Sequence, residues 1–331
     1  MNRMTRRTML CGGGIAAAGA LTGLSLPAFA QQSEVRWAEL KPGFTVLLTG
    51  FIKHHRLDKK HGFSLSTATE YTSVPTYYSD FDVGNYDICI GSWDTFATRY
   101  VRGVPLTYIC NVTTANMINF ISLKETGVDD VSVLAGKVVA APQSTGTYQM
   151  AKAVLAEFKK IDLEGSSTIQ NVNNPAASVS VLRAGSANAG LTWEPNVTNG
   201  MAEDGRIQSI FSIGDAYTKG TNGKTLPYFG VAVRNELLAT DPQIGVKIDA
   251  MFRDCIEGIL SDVPSAVTVV GEATGFRPEV LTEAIASGRL DFKYTSMTDA
   301  AARENLKAAA EFCVRNGALA GVPDDNFFFQ G

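Results

Sequence analysis

Short apolar runs alternate with amphipathic stretches along most of this chain. Val35 to Leu40 alternates with period two and predicts a first strand. Lys41-Pro42-Gly43 is a turn, and Phe44 to Arg56 carries apolar residues at helical spacing. Gly62 to Ala68 predicts a second strand. Asp87 to Gly91 is a short strand, wholly apolar after Asp87, the pattern of a parallel sheet buried on both faces. It ends in Ser92-Trp93-Asp94, and a helix is expected from about Thr95 to Arg102, stopped at Gly103. Strands follow at Leu106 to Val112 and Met117 to Leu123. Val138 to Ala141 is the next, running into the loop Gln143 to Thr147 and a helix from about Tyr148 to Lys160.

Ser167 to Val172 predicts another strand, Ala176 to Ala184 a helix, and Ala187 to Thr192 a short strand ending on Trp193 and Glu194. Pro195 stops that strand and suits the first turn of a helix. Ile207 to Ile213 alternates, Asp215 to Lys224 reads as a polar loop, and Leu226 to Val233 reads as a returning strand. From Glu236 onward the pattern is mostly helical, and Phe327 to Phe329 form an aromatic tail that docks or hangs loose. This is βαβ alternation in two blocks, with crossings near 113–118 and 224–231. It predicts an α/β protein of two lobes joined by two β-hinges, with the C-terminal helices returning to the first lobe. Residues 31–115 plus 229–331 would form lobe 1, and 116–228 lobe 2.

The N-terminus changes this picture first. Thr5-Arg6-Arg7-Thr8-Met9-Leu10 opens a stretch that is apolar and Gly/Ala-rich from Gly12 to Leu26, and Ala28-Phe29-Ala30 offers a cleavage site. Residues 1–30 therefore predict a twin-arginine signal peptide cut after Ala30, and a periplasmic product. The run is too short and glycine-rich for a membrane anchor. Losing Arg3, Arg6 and Arg7 takes the formal net charge from -4 to -7. With no basic stripe, nucleic acid is excluded as a partner.

Of the five cysteines, Cys11 goes with residues 1–30; the remaining Cys89, Cys110, Cys255 and Cys313 form no C-x-x-C pair and read as buried small hydrophobes, although their even count leaves a disulfide open. His54, His55 and His61 sit with lysines near a helix C-terminus, where the macrodipole favours cations; a solvated face is expected, and no metal or cofactor. Chemistry is expected instead at the carboxyl ends of strands. There Trp193 and Glu194 suggest a ligand floor. At the helix start after Ser144-Thr145-Gly146-Thr147, free N–H groups and the dipole favour an acceptor or anion, with Ser144 or Thr145 as cap.

Four segments, in order, resemble the periplasmic substrate-binding proteins of ABC importers, of the nitrate/sulfonate/taurine type. They are Gly84-Asn85-Tyr86-Asp87-Ile88-Cys89-Ile90-Gly91, Arg102-Gly103-Val104-Pro105-Leu106, Leu134-Ala135-Gly136-Lys137-Val138-Val139-Ala140, and Gly185-Ser186-Ala187-Asn188-Ala189-Gly190-Leu191-Thr192-Trp193-Glu194-Pro195. Val133 and Asn188 stand where the family usually has Asp. The resemblance implies a type II periplasmic-binding-protein fold, closure around one small ligand, and delivery as a monomer to a permease and ATPase in the membrane. It also implies ligand contacts from Glu39 to Phe44, Ser92, Trp93, Asp94, Asn116, Ser144, Thr145, Gly146, Thr147, Trp193, Glu194 and Tyr228.

These loops carry Glu39, Asp94 and Glu194 against one base, Lys41, beside Trp93 and Trp193. Carboxylates near aromatic faces suit a cation. The first expectation is thus a small nitrogenous ligand, cationic or amino-bearing, such as a guanidine or amine. The alternative is a sulfonate or zwitterion such as taurine, its anion on the Ser144–Thr147 helix start and its amine on Glu194 or Asp94; an aminopyrimidine fits less specifically. An enzyme of this fold would need a placed His or a Cys-rich motif, and neither occurs. A sensor module presenting the same ligand-bound form is not distinguished from transport.

Overall fold

Two sheets divide the chain. The computed structural model describes residues 34–331, so the expected signal peptide and its expected cleavage after Ala30 lie outside them. Strands Phe292–Ser296, Leu106–Thr113, Phe229–Arg234 and Ile88–Ser92 lie in that order in an antiparallel sheet, the core of a first lobe. Trp37 bridges Ile88 in parallel, and Ala38–Leu40 pairs with Thr69–Tyr71. The second lobe is built on a five-stranded sheet in the order Ile207–Ser212, Ile118–Leu123, Ala189–Trp193, Val138–Ala141, Thr168–Asn171. Its last three strands are parallel. Each feeds a helix at one edge: Gly146–Val154, Pro175–Arg183 and Asn196–Glu203. That edge is where an open α/β sheet binds ligands.

The two crossings pair with each other. Ala115 donates its N–H to Leu226 O (2.9 Å), Tyr228 donates to Thr113 O (3.0 Å), and Thr114 bridges Pro227. Two short connections side by side are the geometry of a hinge. The C-terminal helix Ala300–Arg315 touches both lobes. Phe312 stacks on Phe158 of the second lobe (5.6 Å), and Glu157 there accepts from Arg315 (2.9 Å). The aromatic tail docks, with Phe327 stacked on Tyr108 at 5.5 Å.

Several sequence expectations need correction. Ile88–Ser92 is fully buried, but its ladder is antiparallel to Phe229–Arg234 and its parallel contact is the Trp37 bridge. Burial on both faces produces an apolar run whichever way the neighbours point. Residues 215–224 are not all loop: Ile213–Gly220 is a helix, capped where Ser212 Oγ accepts from the Asp215 N–H (3.2 Å). Phe292–Ser296 is a strand in a region read as helical, and helix Val74–Asp82 was not foreseen. The four cysteines are buried and free. His54 and His55 are exposed, whereas His61 pairs with Asp254 at 3.0 Å. Among the described residues no helix is long and apolar enough to cross a membrane.

Candidate functional site

Two adjoining cavities lie between the sheets, one of 710 Å³ and one of 150 Å³. Leu40, Val74, Trp193 and Phe229 border both, so Trp193 and Phe229 form a partition. The larger cavity is built where two helix starts meet from opposite lobes. Strand Ile88–Ser92 hands over to helix Trp93–Val101, which places Asp94 in its first turn. Strand Val138–Ala141 hands over to helix Gly146–Val154, capped by Thr145, whose Oγ1 accepts from the Tyr148 N–H (3.3 Å). Gly146 packs so close to Asp94 that a Cβ added there would overlap the carboxylate. Thr147 and Tyr228 share a hydrogen bond across the second crossing, and both are buried. Ser144 is exposed at the rim.

Asp94 is 4% exposed, and its Oδ1 has no hydrogen-bond partner among the described residues. A buried carboxylate oxygen without a partner is costly unless something else donates to it. Burial pushes its pKa up to about 6, while the Ser92 hydroxyl and nearby backbone amides oppose the rise. The same cavity is lined by Thr95, Thr98, Arg99 and Arg102. Arg99 lies 4.5 Å from the Tyr78 ring centroid and donates to Asp82 at 3.0 Å. Tyr78 in turn accepts the Ser92 N–H at 3.1 Å, which anchors the helix start. These side chains were missed, although their signal was available: residues 94, 95, 98, 99 and 102 repeat at helical spacing as one polar stripe.

The smaller cavity is lined by Pro42, Gly43, Phe44, Asn174, Trp193 and Pro195. Phe44 meets Phe229 edge-on at 5.0 Å. Helices Thr45–His55, Pro175–Arg183 and Asn196–Glu203 all begin beside it, so their dipoles favour electron-rich groups there.

Three expected contacts fall outside both cavities, and a fourth is already partnered within the protein. Trp93 is fully buried and borders neither cavity; its Nε1–H donates to Pro227 O at 2.8 Å, which makes it a support of the crossing. Glu39 also borders neither; it accepts from the Thr49 hydroxyl, and burial raises its pKa. Asn116 lies on a separate groove, with Nδ2 3.4 Å from Asp291. Glu194 edges the smaller cavity, but its carboxylate is claimed by Arg289 Nε (2.7 Å), the Thr198 N–H (3.1 Å) and the Thr198 hydroxyl (2.9 Å). Burial raises its pKa against the pull of Arg289. Two of the three acids assigned to a cationic ligand are therefore already satisfied within the protein.

The raised pKa of Asp94 has a sign that can be tested. Its value in the folded protein lies above the ordinary 3.8. Well below the ordinary value of 3.8 the group is neutral folded or unfolded and costs nothing. As pH rises through the interval up to about 6 the unfolded chain ionises first, and stability is lost. Asp94→Asn should therefore stabilise the protein at pH 7, on the order of 2 kcal/mol, with the gain shrinking as pH falls and vanishing below about pH 3. Urea denaturation of both proteins across this range measures it. A gain independent of pH would contradict the assignment.

With this geometry in hand, comparison with known proteins gives the class. Solved structures with the same fold include the alkanesulfonate-binding protein SsuA from Xanthomonas axonopodis pv. citri, bound to MOPS. It has a TM-score of 0.70 and 17% identity, over 89% of this chain and 96% of that one. The periplasmic aliphatic sulphonate binding protein SsuA from Escherichia coli matches with a TM-score of 0.69 and 14% identity, over 89% and 96%. A Candida albicans gene product described as exhibiting the generic periplasmic binding protein fold matches with 0.64 and 15%, over 89% and 93%. This chain has the periplasmic-binding-protein fold.

Residues 79–226 match the family model described as NMT1/THI5 like. No curated protein sequence matches the chain. The resemblance read from the four sequence segments agrees with the family model and the fold.

Proposed function

We propose that this protein is the solute-binding component of an ABC importer, working in the periplasm as a monomer after twin-arginine export. Its two lobes, divided at the crossings near residues 115 and 228, close around one small solute and present it to a membrane permease and ATPase. The solute carries an N–H donor, as an amine or guanidine does, and that donor meets Asp94. The unpartnered Oδ1 of Asp94 carries this reading, since among the described residues Asp94 is the one acid that lines the larger cavity. Trp193, Phe44 and Tyr228 supply apolar and aromatic wall, and Ser144 to Thr147 supply hydroxyls and a helix start.

A second reading, a sulfonate or zwitterion such as taurine, is favoured by a separate observation. Arg99 and Arg102 border the same cavity, and six helix starts surround the two cavities, which suits an anionic head. The names of the SsuA neighbours point the same way. An amino-sulfonate satisfies both readings at once.

A thermal-shift panel of guanidine, alkylamines, taurine, alkanesulfonates, nitrate and aminopyrimidines tests them. A ligand at about 100 times its Kd adds about 2.7 kcal/mol to stability. The expected result is a shift with amino-bearing compounds that is lost in Asp94→Asn and weakens below about pH 6, where Asp94 takes up a proton. A shift with amine-free alkanesulfonates that survives Asp94→Asn would replace the first reading with the second. A flat panel would remove both.

A further inference from the structure

The turn that follows helix Pro278–Ala286 joins the two lobes beside the hinge. On its own lobe, Asp291 accepts from the Thr114 hydroxyl (2.8 Å) and takes the Thr114 N–H on its carbonyl (3.1 Å), so it grips the first crossing. Two residues earlier, Arg289 reaches into the second lobe. Its Nε donates to Glu194 Oε1 at 2.7 Å and its Nη2 to the Thr198 hydroxyl at 2.9 Å. Glu194 is fully buried, whereas the Arg289 side chain keeps 23% exposure, on a groove away from the solute cavities. Glu194 also follows Trp193, the partition between those cavities, and its N–H donates to Met117 O at 3.0 Å in the crossing.

A buried carboxylate is tolerated when a cation and hydrogen bonds satisfy it, and becomes costly when the cation leaves. Moving the lobes apart at this face withdraws Arg289 from Glu194, while water has access to the arginine side. We propose that Arg289 is a positioning residue that holds the lobes in the closed arrangement through Glu194 and Thr198, without touching the solute. The inference rests on hinged closure of the two lobes and not on which solute is bound.

Pulsed electron-spin distance measurements on the solute-free protein test it. Spin labels are placed on the exposed positions Ala135→Cys in the second lobe and Ala273→Cys in the first of the protein lacking residues 1–30; the four cysteines among the described residues are buried. The unsubstituted pair should show a dominant short distance. Arg289→Gln should move the closed-to-open ratio toward open by roughly tenfold, the scale of a lost hydrogen bond to a charged group. Arg289→Lys should keep more of the short distance, because it retains the charge. Thr198→Val, which leaves the ion pair in place, should give a smaller shift in the same direction; it also serves if Arg289→Gln fails to fold. An unchanged distance distribution in folded Arg289→Gln, or in Thr198→Val should the former not fold, overturns the proposal. Because no solute is added, failure here is separate from failure of the thermal-shift panel.

Discussion

Gly146→Ala should abolish solute-dependent stabilisation while leaving the solute-free protein folded. Alanine is the better helix former at this first helical position, and Gly146 is not among the residues with positive φ, so the backbone tolerates a side chain. The obstacle is a single atom. The new Cβ would overlap the Asp94 carboxylate of the facing lobe, a group held by the start of its own helix and fully enclosed. The lobes would have to stand further apart, and every contact made jointly by both walls would weaken together. Calorimetric melting should show the solute-free variant still unfolding cooperatively, at or somewhat below the wild-type midpoint because the closed arrangement is lost, with the solute response gone. X-ray scattering should show a larger radius of gyration under conditions where the wild type closes. A variant that keeps the wild-type thermal shift would mean the Asp94–Gly146 contact is not part of the closed, solute-holding state.

The second large effect separates two tryptophans that look equivalent in the sequence. Trp93 is fully buried, and its indole N–H and backbone N–H are both spent on the second crossing, at Pro227 O (2.8 Å) and Tyr228 O (2.9 Å). Trp93→Ala should cost about 3–5 kcal/mol through the cavity it leaves. That is a fall in melting temperature of roughly 10 °C, with solute response impaired only as a consequence of the weakened fold. Trp193 borders both cavities, so its truncation enlarges space that already exists. Trp193→Ala should lose much less stability, merge the two cavities and remove the solute response. Differential scanning calorimetry with and without an active panel compound distinguishes the two. Equal losses of stability in both variants would refute the division of roles.

Much of the architecture was legible because its signals are local. The apolar runs at 88–92, 138–141 and 189–193 and the helices after 145 and 174 depend on period and capping within about ten residues. The two crossings show as short strand runs without an intervening helix. The helix Ile213–Gly220 was hidden because its buried face is only Ile213, Gly214 and Tyr217 in a polar stretch. The strand Phe292–Ser296 was hidden because it is short, sits at a sheet edge and lies among strong helix formers.

The candidate site divides in the same way. Placement of Asp94, Thr145, Gly146, Thr147 and Trp193 at strand ends and helix starts follows from chain order in an α/β fold, and no distant residue is needed to infer it. Which way the other side chains turn was decided elsewhere. Glu194 resembles a ligand-binding acid until Arg289, 95 positions later, supplies its counter-charge. Glu39 is taken by Thr49, and Trp93 by a carbonyl 134 positions away. Period and capping are short-range and are written in consecutive residues. The choice between a partner inside the protein and a partner from solution depends on which buried group lacks a donor after packing, and only the three-dimensional arrangement decides that. Here it leaves the unpartnered oxygen of Asp94 in the larger cavity and none at Glu194.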